Sequence, residues 1–209
     1  MPDASHGTGL REHLLFFARF LRSPRTVGAL SASSRALARS VVNVAWPGTD
    51  ARVVELGPGT GALTSAIVER LTPGSRFFAV DIDPEFVRQI RLRWPEVECV
   101  CASAEHLRGL LEERQLAPVD HIISGLPFTS LPLATTARIL DSVEASLRPG
   151  GTFTTFQYVY AYAMPAAIAF RRRMNAKMGS RPTRLLVMRN VPPAYVLNWV
   201  KPPEAGRAG

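Results

Sequence analysis

The chain has few cysteines, a shortage of acidic residues and no long apolar run. Two cysteines, Cys99 and Cys101, in 209 residues exclude a disulfide framework and favour a reducing compartment. The longest uncharged stretch, 149–170, is interrupted by glycines, threonines and a proline, so we expect no transmembrane span. Because the polar N-terminus also lacks the features of a secretory signal, we expect a cytoplasmic protein.

The charge that is present is unevenly distributed. Lys and Arg number 25 against 17 Asp and Glu, which gives a formal net charge of +8. Residues 1–50 carry +3, residues 51–150 carry −3 and residues 151–209 carry +8. Two basic ends therefore flank an acidic middle. Such ends favour a polyanionic partner, either nucleic acid or anionic lipid headgroups.

From about residue 51 the chain alternates apolar, β-rich runs with helical segments. Strands are predicted at 51–57, 76–83, 97–102, 119–125 and 152–159, and helices at 33–46, 60–71, 84–94, 105–115, 133–147 and 165–177. Two further strands, 184–190 and 195–200, follow each other without a helix and must pair antiparallel. The pattern predicts an α/β fold with a seven-stranded, mostly parallel sheet, helices on both faces and a C-terminal antiparallel hairpin.

An amphipathic helix is predicted ahead of this domain, at residues 10–22. Its apolar arc includes Phe17 and Phe20, and its opposite arc includes Arg11, Arg19 and Arg22. Such a helix suits a membrane interface, although it can equally pack on the domain. The predicted organisation is a docking helix at 1–24, a main domain at 25–201 and a flexible tail at 202–209.

A glycine-rich turn between the first strand and its helix carries the chemistry. Gly57-Pro58-Gly59-Thr60-Gly61 lets the backbone approach a ligand, but it is neither a P-loop nor a dinucleotide motif. Glu55, two residues before the first glycine, would repel a pyrophosphate and suits a cationic amino group. Asp81 ends the next strand, where a carboxylate can bind ribose hydroxyls. A ribose with a cationic amino acid describes S-adenosylmethionine; the alternative is a plain tight turn with Asp81 as a capping acid.

The motif E-x-G-x-G-x-G, together with Asp81-Ile82-Asp83, resembles the cofactor site of the Rossmann-like class I methyltransferases. The resemblance implies S-adenosylmethionine as cofactor and S-adenosylhomocysteine as product. The family usually has Asp-Ala after the third strand to bind adenine, where this chain has Ser103-Ala104. Glu105 is an alternative adenine partner or a helix first-turn charge. The implied cofactor-binding residues are Glu55, Gly57, Pro58, Gly59, Gly61, Asp81, Ile82, Ser103, Ala104 and Glu105.

Three further motifs bear on the substrate. Residues 124–128, Ser-Gly-Leu-Pro-Phe, resemble the N-L-P-[FY] motif of rRNA adenine dimethylases, with Gly125 where that family has Asn. This replacement is expected to widen the site and to remove a hydrogen-bonding side chain. Residues 23–34 and 189–194 resemble N-P-K-T-V-G-A-I-x-P-S-S and R-N-x-P-P-A of bacterial phospholipid N-methyltransferases, and Ser-Gly-Leu-Pro also matches that family. This second resemblance implies conversion of phosphatidylethanolamine through its methylated forms to phosphatidylcholine, with membrane docking by the N-terminal helix.

Methyl transfer to an amine requires positioning and prior loss of the ammonium proton. We expect Tyr158 as proton acceptor, with Gly125 and Leu126 beside the transferring methyl; packing is the other interpretation of Tyr158. Arg189 is expected to pair with the lipid phosphate, and Arg171–Arg173 to face headgroups or water. The membrane contacts are assigned to Arg11, Phe17, Arg19, Phe20 and Arg22.

The favoured hypothesis is a peripheral enzyme on the inner face of the cytoplasmic membrane. Its expected partners are a phospholipid substrate and the anionic membrane surface, with neither nucleic acid nor a metal ion. Two alternatives remain open. One is an rRNA adenine N6-dimethyltransferase, and the other is a cofactor-binding protein at the lipid surface without turnover.

Overall fold

The computed structural model describes residues 27–46 and 49–203. The predicted helix at 10–22, with Arg11, Phe17, Arg19, Phe20 and Arg22, lies outside the described residues. The segment 1–24 and residues 204–209 of the predicted tail lie outside them too.

The described chain alternates helices and strands, as the sequence pattern predicts. The helices are α1 (Val27–Ala45), α2 (Ala62–Val68), α3 (Pro84–Arg93), α4 (Leu107–Glu112), α5 (Leu133–Ser146) and α6 (Pro165–Met178). The strands are β1 (Arg52–Leu56), β2 (Arg76–Asp81), β3 (Glu98–Cys101), β4 (Val119–Ser124), β5 (Leu147–Tyr158), β6 (Thr183–Val187) and β7 (Ala194–Val200). Short 3-10 turns at Ala104–His106 and Val159–Ala161 precede α4 and α6.

The strands form one seven-stranded sheet in the order β3-β2-β1-β4-β5-β7-β6. The neighbours from β3 to β5 pair in parallel, whereas β7 pairs antiparallel with both β5 and β6. The strand order reverses between β1 and β4, and ligands of such sheets bind at this reversal, beyond the carboxyl ends of the strands. The predicted fold class is confirmed.

Helices cover both faces of the sheet. One face packs against α1, α2 and α3 and buries Val42, Ile67 and Ile90. The other packs against α4, α5 and α6 and buries Leu107 and Val143. Each fully buried side chain of this size contributes about 1.5–3 kcal/mol. Within the described residues, the structure contains no helix of the length and apolarity needed to cross a membrane.

Two predicted boundaries are wrong for identifiable reasons. The second helix was expected to begin at a serine cap, Ser33 or Ser34, but α1 begins at Val27 and passes through both. The fifth strand was expected after the Pro149-Gly150-Gly151 turn, but β5 begins at Leu147. The Gly150 backbone N–H donates to the Lys201 carbonyl at 2.9 Å, so the residues after β7 extend the ladder through the glycines.

Candidate active site at the carboxyl edge of the sheet

The loop between β1 and α2 has a backbone that favours glycine. Gly57, Gly59 and Gly61 all have positive φ angles, of 72°, 53° and 86°. The Gly57 N–H donates to the Val80 carbonyl of β2 at 2.9 Å, which fixes the start of the loop. A Cβ on Gly59 would meet no protein atom within 4 Å, so this part of the loop borders open space. The loop therefore presents backbone to a space where a ligand can bind.

Asp81 joins this loop to the end of β2. Its Oδ2 accepts the Gly59 N–H at 3.0 Å, and its Oδ1 accepts the Asp83 N–H at 2.9 Å. Burial raises the pKa of the Asp81 carboxyl, and these two hydrogen bonds oppose the rise. Gly59 and Asp81, 22 positions apart in the chain, are therefore in contact at the end of β2. The Asp81 carboxylate still has free acceptor sites for hydroxyl groups.

Glu55 lies at the base of the loop and is fully buried. Its Oε2 accepts the Thr64 hydroxyl of α2 at 2.7 Å. Its Oε1 has no hydrogen-bond partner among the described residues. Burial raises the pKa of Glu55 to about 8. A buried acceptor without a partner costs free energy, so a cationic group supplied by a ligand would relieve that cost.

The turn after β4 packs tightly against the glycine loop. The Gly125 N–H donates to the Leu56 carbonyl at 2.8 Å, and a Cβ on Gly125 would lie 2.7 Å from the Gly57 carbonyl oxygen. A Cβ on Gly57 would in turn lie 2.7 Å from Leu126 Cδ2. The expectation that Gly125 widens the site is therefore wrong, because the Gly57 backbone fills the space that a side chain would take.

The residues after β3 are already engaged in local contacts. The Ser103 hydroxyl accepts the Glu105 N–H at 3.3 Å and caps the 3-10 turn that contains buried Ala104. The Glu105 carboxylate pairs with Arg138 of α5 at 2.7 Å. Ile82 is 39% exposed beside Asp81, so it offers an apolar surface at the same edge. The assignment of the adenine contact to Ser103 or Glu105 stays a prediction.

Tyr158, the last residue of β5, is half-buried at this edge. Its ring stacks on Tyr160 with centroids 5.7 Å apart. Burial and the neighbouring Tyr160 raise the pKa of the Tyr158 phenol, so it stays protonated near neutral pH. Arg189 is exposed in the turn between β6 and β7. The roles of Tyr158 and Arg189 stay predictions.

Comparison with known proteins agrees with this geometry. Residues 54–153 match the family model described as a methyltransferase domain. Over 92% of its length the chain is 31% identical to ornithine lipid N-methyltransferase of Singulisphaera acidiphila, covering 98% of that protein. The chain belongs to this family of bacterial lipid N-methyltransferases.

Two further matches concern, respectively, a part of the chain and its fold. Ribosomal RNA small subunit methyltransferase A of Burkholderia lata is 35% identical over 99 residues, which are 45% of this chain and 36% of that protein. A crystal structure of the 1,6-didemethyltoxoflavin-N1-methyltransferase of Burkholderia thailandensis, with bound S-adenosylhomocysteine, superposes with a TM-score of 0.66 at 22% identity. It covers 92% of this chain and 87% of that one. This second likeness shows the Rossmann-like class I methyltransferase fold.

The cofactor of this methyltransferase is S-adenosylmethionine, and the residues present fit it. The unpartnered Glu55 Oε1 suits an ammonium group, the open side of Gly59 leaves room for the ligand, and the Asp81 carboxylate suits ribose hydroxyls. No pyrophosphate would be tolerated beside two buried carboxyl groups.

Some residues that shape the site were not predicted from the sequence. Thr64 binds Glu55, and Arg138 binds Glu105 from 33 positions away. Thr64 carries a weak signal, since it lies in the first turn of the helix after the glycine loop. Arg138 carries none, because its partner comes from a different part of the fold.

Proposed function

We propose that this methyltransferase methylates the amine of phosphatidylethanolamine and of its methylated intermediates, toward phosphatidylcholine, at the inner face of the cytoplasmic membrane. The observation that carries the proposal is the near-full-length similarity to a lipid N-methyltransferase. The cofactor residues described above support the transfer chemistry. The lipid headgroup, the membrane partner and the location are our proposals.

The chemistry requires a neutral amine in line with the methyl group. Bound S-adenosylmethionine supplies an electrophilic methyl group, and Glu55, Gly59 and Asp81 would hold it at the reversal of the strand order. Gly125 and Leu126 follow β4, the strand next to β1, so we place them beside the reacting centre. Positioning of this kind supplies most of the rate enhancement of a displacement.

Tyr158 is our candidate for the group that handles the amine proton. Its raised pKa keeps the phenol neutral, so Tyr158 would accept a hydrogen bond from the ammonium and orient it while a water molecule takes the proton. The stacked rings of Tyr158 and Tyr160 also suit a methylated cation by cation–π attraction. A Tyr158→Phe variant that retains full turnover at every pH would remove this role.

The amine of an ornithine lipid is a second candidate substrate. The chain's relative in Singulisphaera acidiphila is named for that lipid. Both lipids present a primary aliphatic amine at the membrane surface, so the same proton transfer and displacement apply to each. The headgroups differ in their anion, which is a phosphate in one and not in the other.

RNA methylation is less well supported. The rRNA-methylating relative is matched over only 36% of its length. In the dimethylase motif an aromatic residue helps hold a flipped base, but here Phe128 is buried and stacks on Phe170 with centroids 4.5 Å apart. Gly125 supplies no side chain to replace the missing Asn. Neither residue is therefore available to hold a base at the edge of the sheet.

A labelled methyl group distinguishes these functions. The full chain is incubated with methyl-labelled S-adenosylmethionine and vesicles of phosphatidylethanolamine, of ornithine lipid or of phosphatidylcholine alone, and separately with small-subunit rRNA. We expect mono-, di- and trimethylated products only from phosphatidylethanolamine. Label on ornithine lipid alone would show that ornithine lipid, not phosphatidylethanolamine, is the substrate. Label on RNA alone would overturn the lipid function.

The matched variants for this assay are Asp81→Asn and Asp141→Asn. Asp81 holds the glycine loop, whereas Asp141 lies on α5, with 63% of its side chain exposed, and pairs with Lys177. We expect cofactor affinity, measured by calorimetry, to fall by about 10–100-fold in the first variant and to stay unchanged in the second, because a hydrogen bond to a charged group is worth about 1.5–3 kcal/mol.

A further inference from the structure

Large apolar side chains are exposed along the carboxyl edge of the sheet, beside the candidate active site. Most of the exposed large apolar residues that the structure describes lie in the loops at this edge. Those in the loop after β5 are Val159, Tyr160 and Met164, and those in the β6–β7 turn are Met188 and Val191. Clusters of this kind on a protein surface mark interaction sites. We call these five residues the loop patch.

The two loops of the patch are physically joined. Tyr158 pairs with Ala194 at the end of the β5–β7 ladder, and the Val159 N–H donates to the Pro193 carbonyl at 2.9 Å. The exposed fraction is 68% for Tyr160 and 66% for Met188. The patch is therefore a surface built by two neighbouring loops rather than a set of scattered side chains.

The chain around the patch is strongly basic. Residues 151–203 contain eight Lys and Arg and no Asp or Glu. Arg171 and Arg184 flank Tyr162, with their guanidinium carbons 3.8 Å and 5.7 Å from the ring centroid. Within the described part of the chain neither guanidinium pairs with a carboxylate, and the repulsion between them adds to burial in lowering the pKa of Arg171. Arg171, which was expected to face headgroups or water, is half-buried and lies against the Tyr162 ring.

The buried side-chain amide of Gln157 lies next to this pair, and within the described chain only its oxygen is hydrogen-bonded. Arg171 donates to Gln157 Oε1 at 2.6 Å and to the Tyr162 carbonyl at 2.8 Å. Gln157 is only 5% exposed, and its Nε2 has no hydrogen-bond partner among the described residues. Arg171 and Arg184 thus both contact Tyr162, and the Gln157 amide lies against Arg171, with neither guanidinium paired to a carboxylate in the part of the chain that the structure describes. Such a set of donors suits a phosphate group.

We propose that the loop patch is a docking surface for an anionic lipid bilayer, with its apolar side chains in the interface and Arg184 and Arg171 on lipid phosphate. This proposal rests on the proposed lipid function and adds a membrane contact distinct from segment 1–24. Apolar side chains combined with an unbalanced positive charge match an anionic bilayer, because burial and charge attraction act together there. The patch also lies at the edge where a lipid headgroup must reach the cofactor.

Binding to vesicles tests the surface without any turnover. The double variant Tyr160→Ser, Met188→Ser is compared with Leu92→Ser on α3, whose side chain is 69% exposed away from the patch. We expect the vesicle partition coefficient of the double variant, measured by sedimentation with anionic vesicles, to fall by about tenfold or more. The Leu92→Ser control is expected to stay within about twofold of the unmodified chain, since a side chain outside the interface adds little to partitioning.

A charge variant tests the phosphate contact. We expect Arg184→Gln to weaken binding to anionic phospholipid vesicles severalfold and to leave the weaker binding to vesicles of a neutral, phosphate-free glycolipid unchanged. Equal losses on both vesicles would remove the phosphate assignment. An unchanged partition coefficient in both the double variant and Arg184→Gln would overturn the docking surface.

Further readouts separate this proposal from the proposed function. Cofactor affinity of the double variant, and methyl transfer by a Met188→Ser variant to lipid dispersed in detergent, should be unchanged, because no bilayer is present. Patch-dependent vesicle binding without any lipid methylation would support docking and overturn the function. A chain that is dimeric without vesicles, and monomeric in the double variant, would instead assign the patch to a second copy and overturn docking.

Discussion

Glu55 is the most deeply buried titratable residue of the candidate site. Burial raises the pKa of its carboxyl group from 4.5 to about 8, and the contact with Thr64 offsets only part of that rise. Between these two pH values the folded chain therefore keeps the Glu55 proton, whereas the unfolded chain has lost it. The resulting stabilisation is fully present below about pH 4.5 and is lost as the pH rises through about 8.

Because this stabilisation is lost as the pH rises, the stability of the ligand-free protein should depend on pH. Between about pH 6.5 and pH 8 the free energy of unfolding should fall relative to a Glu55→Gln variant, by up to about 1.4 kcal/mol per pH unit. Asp81 contributes in the same direction, because its pKa is also raised, and that contribution remains in the variant. Buried His121, whose pKa is lowered, contributes below this window.

Denaturant unfolding at several pH values measures the effect. Glu96→Gln serves as the control, since Glu96 is an exposed carboxyl group, and its curve should run parallel to that of the unmodified chain. Parallel curves for Glu55→Gln as well would show that Glu55 is ionised in the folded state at neutral pH.

Gly125 gives a steric prediction. A Cβ at this position would lie 2.7 Å from the Gly57 carbonyl, so Gly125→Ala should displace the glycine loop. We expect a loss of about 1–3 kcal/mol in stability, as in other overpacked sites, together with weaker cofactor binding. Unfolding and calorimetry measure the two effects.

Gly109 provides the matched control for this substitution. It lies in α4, and a Cβ there would meet no atom within 4 Å. Gly109→Ala should stabilise the helix by about 0.5–1 kcal/mol and leave cofactor affinity unchanged. A Gly125→Ala protein as stable as Gly109→Ala would contradict the close packing of the two loops.

The candidate site was predictable where chain spacing alone carries the signal. Glu55 and Asp81 lie at the carboxyl ends of β1 and β2, Gly57 follows β1, and the carboxyl ends of parallel strands meet at one edge. Two features of the structure were not predictable, because they depend on the relative positions of helices on the sheet. They are the Glu105–Arg138 pair and the Gln157 Nε2 atom without a hydrogen-bond partner in the described chain. The Gly125 prediction was wrong for the same reason, since its neighbour is the backbone of a distant loop.

At the scale of whole elements, the number and the types of the helices and strands agreed with the sequence pattern better than their ends did. The helix predicted at 60–71 is shorter, as α2 spans Ala62–Val68, and the segment 105–115 divides into a 3-10 turn and α4. Serine caps and glycine turns are local signals. Contacts made by the whole element, such as the ladder between β5 and β7, override them.

The segment ahead of α1 gives an element-scale prediction. The predicted amphipathic helix at 10–22 is assigned to the membrane interface rather than to the core of the domain. Deleting 1–24 should therefore leave the melting temperature and cofactor affinity nearly unchanged. Sedimentation with anionic vesicles should fall, because we expect the amphipathic helix at 10–22 to bind the interface.

The loop patch limits how far vesicle binding can fall after this deletion. If both surfaces bind, the deletion weakens vesicle binding without abolishing it, and adding Tyr160→Ser and Met188→Ser weakens it further. A deletion that lowers the melting temperature by many degrees while vesicle binding is retained would show that the N-terminal segment packs on the domain instead of binding the membrane. The variant Val41→Ala, at a fully buried position, shows what a core change does to melting alone.

For the molecule as a whole, charge and topology coincide. The acidic middle of the chain, 51–150, supplies Glu55 and Asp81 to the cofactor site, while the basic region 151–203 builds β6, β7 and the loops beside it. The sheet places both at one edge. The basic region, whose charge alone suits either nucleic acid or a membrane, therefore lies next to exposed aliphatic side chains, which suit a bilayer.

This arrangement predicts how salt affects binding. Attraction between the basic region and anionic vesicles should weaken as ionic strength rises from about 0.01 M to about 1 M, because the screening length falls from about 30 Å to about 3 Å. The apolar contribution of Tyr160 and Met188 should survive, so binding reaches a plateau rather than zero. Sedimentation of the Tyr160→Ser, Met188→Ser variant should continue to fall over the same range. A chain that releases completely from vesicles in high salt, yet keeps binding RNA there, would contradict a membrane surface made of apolar and basic residues together.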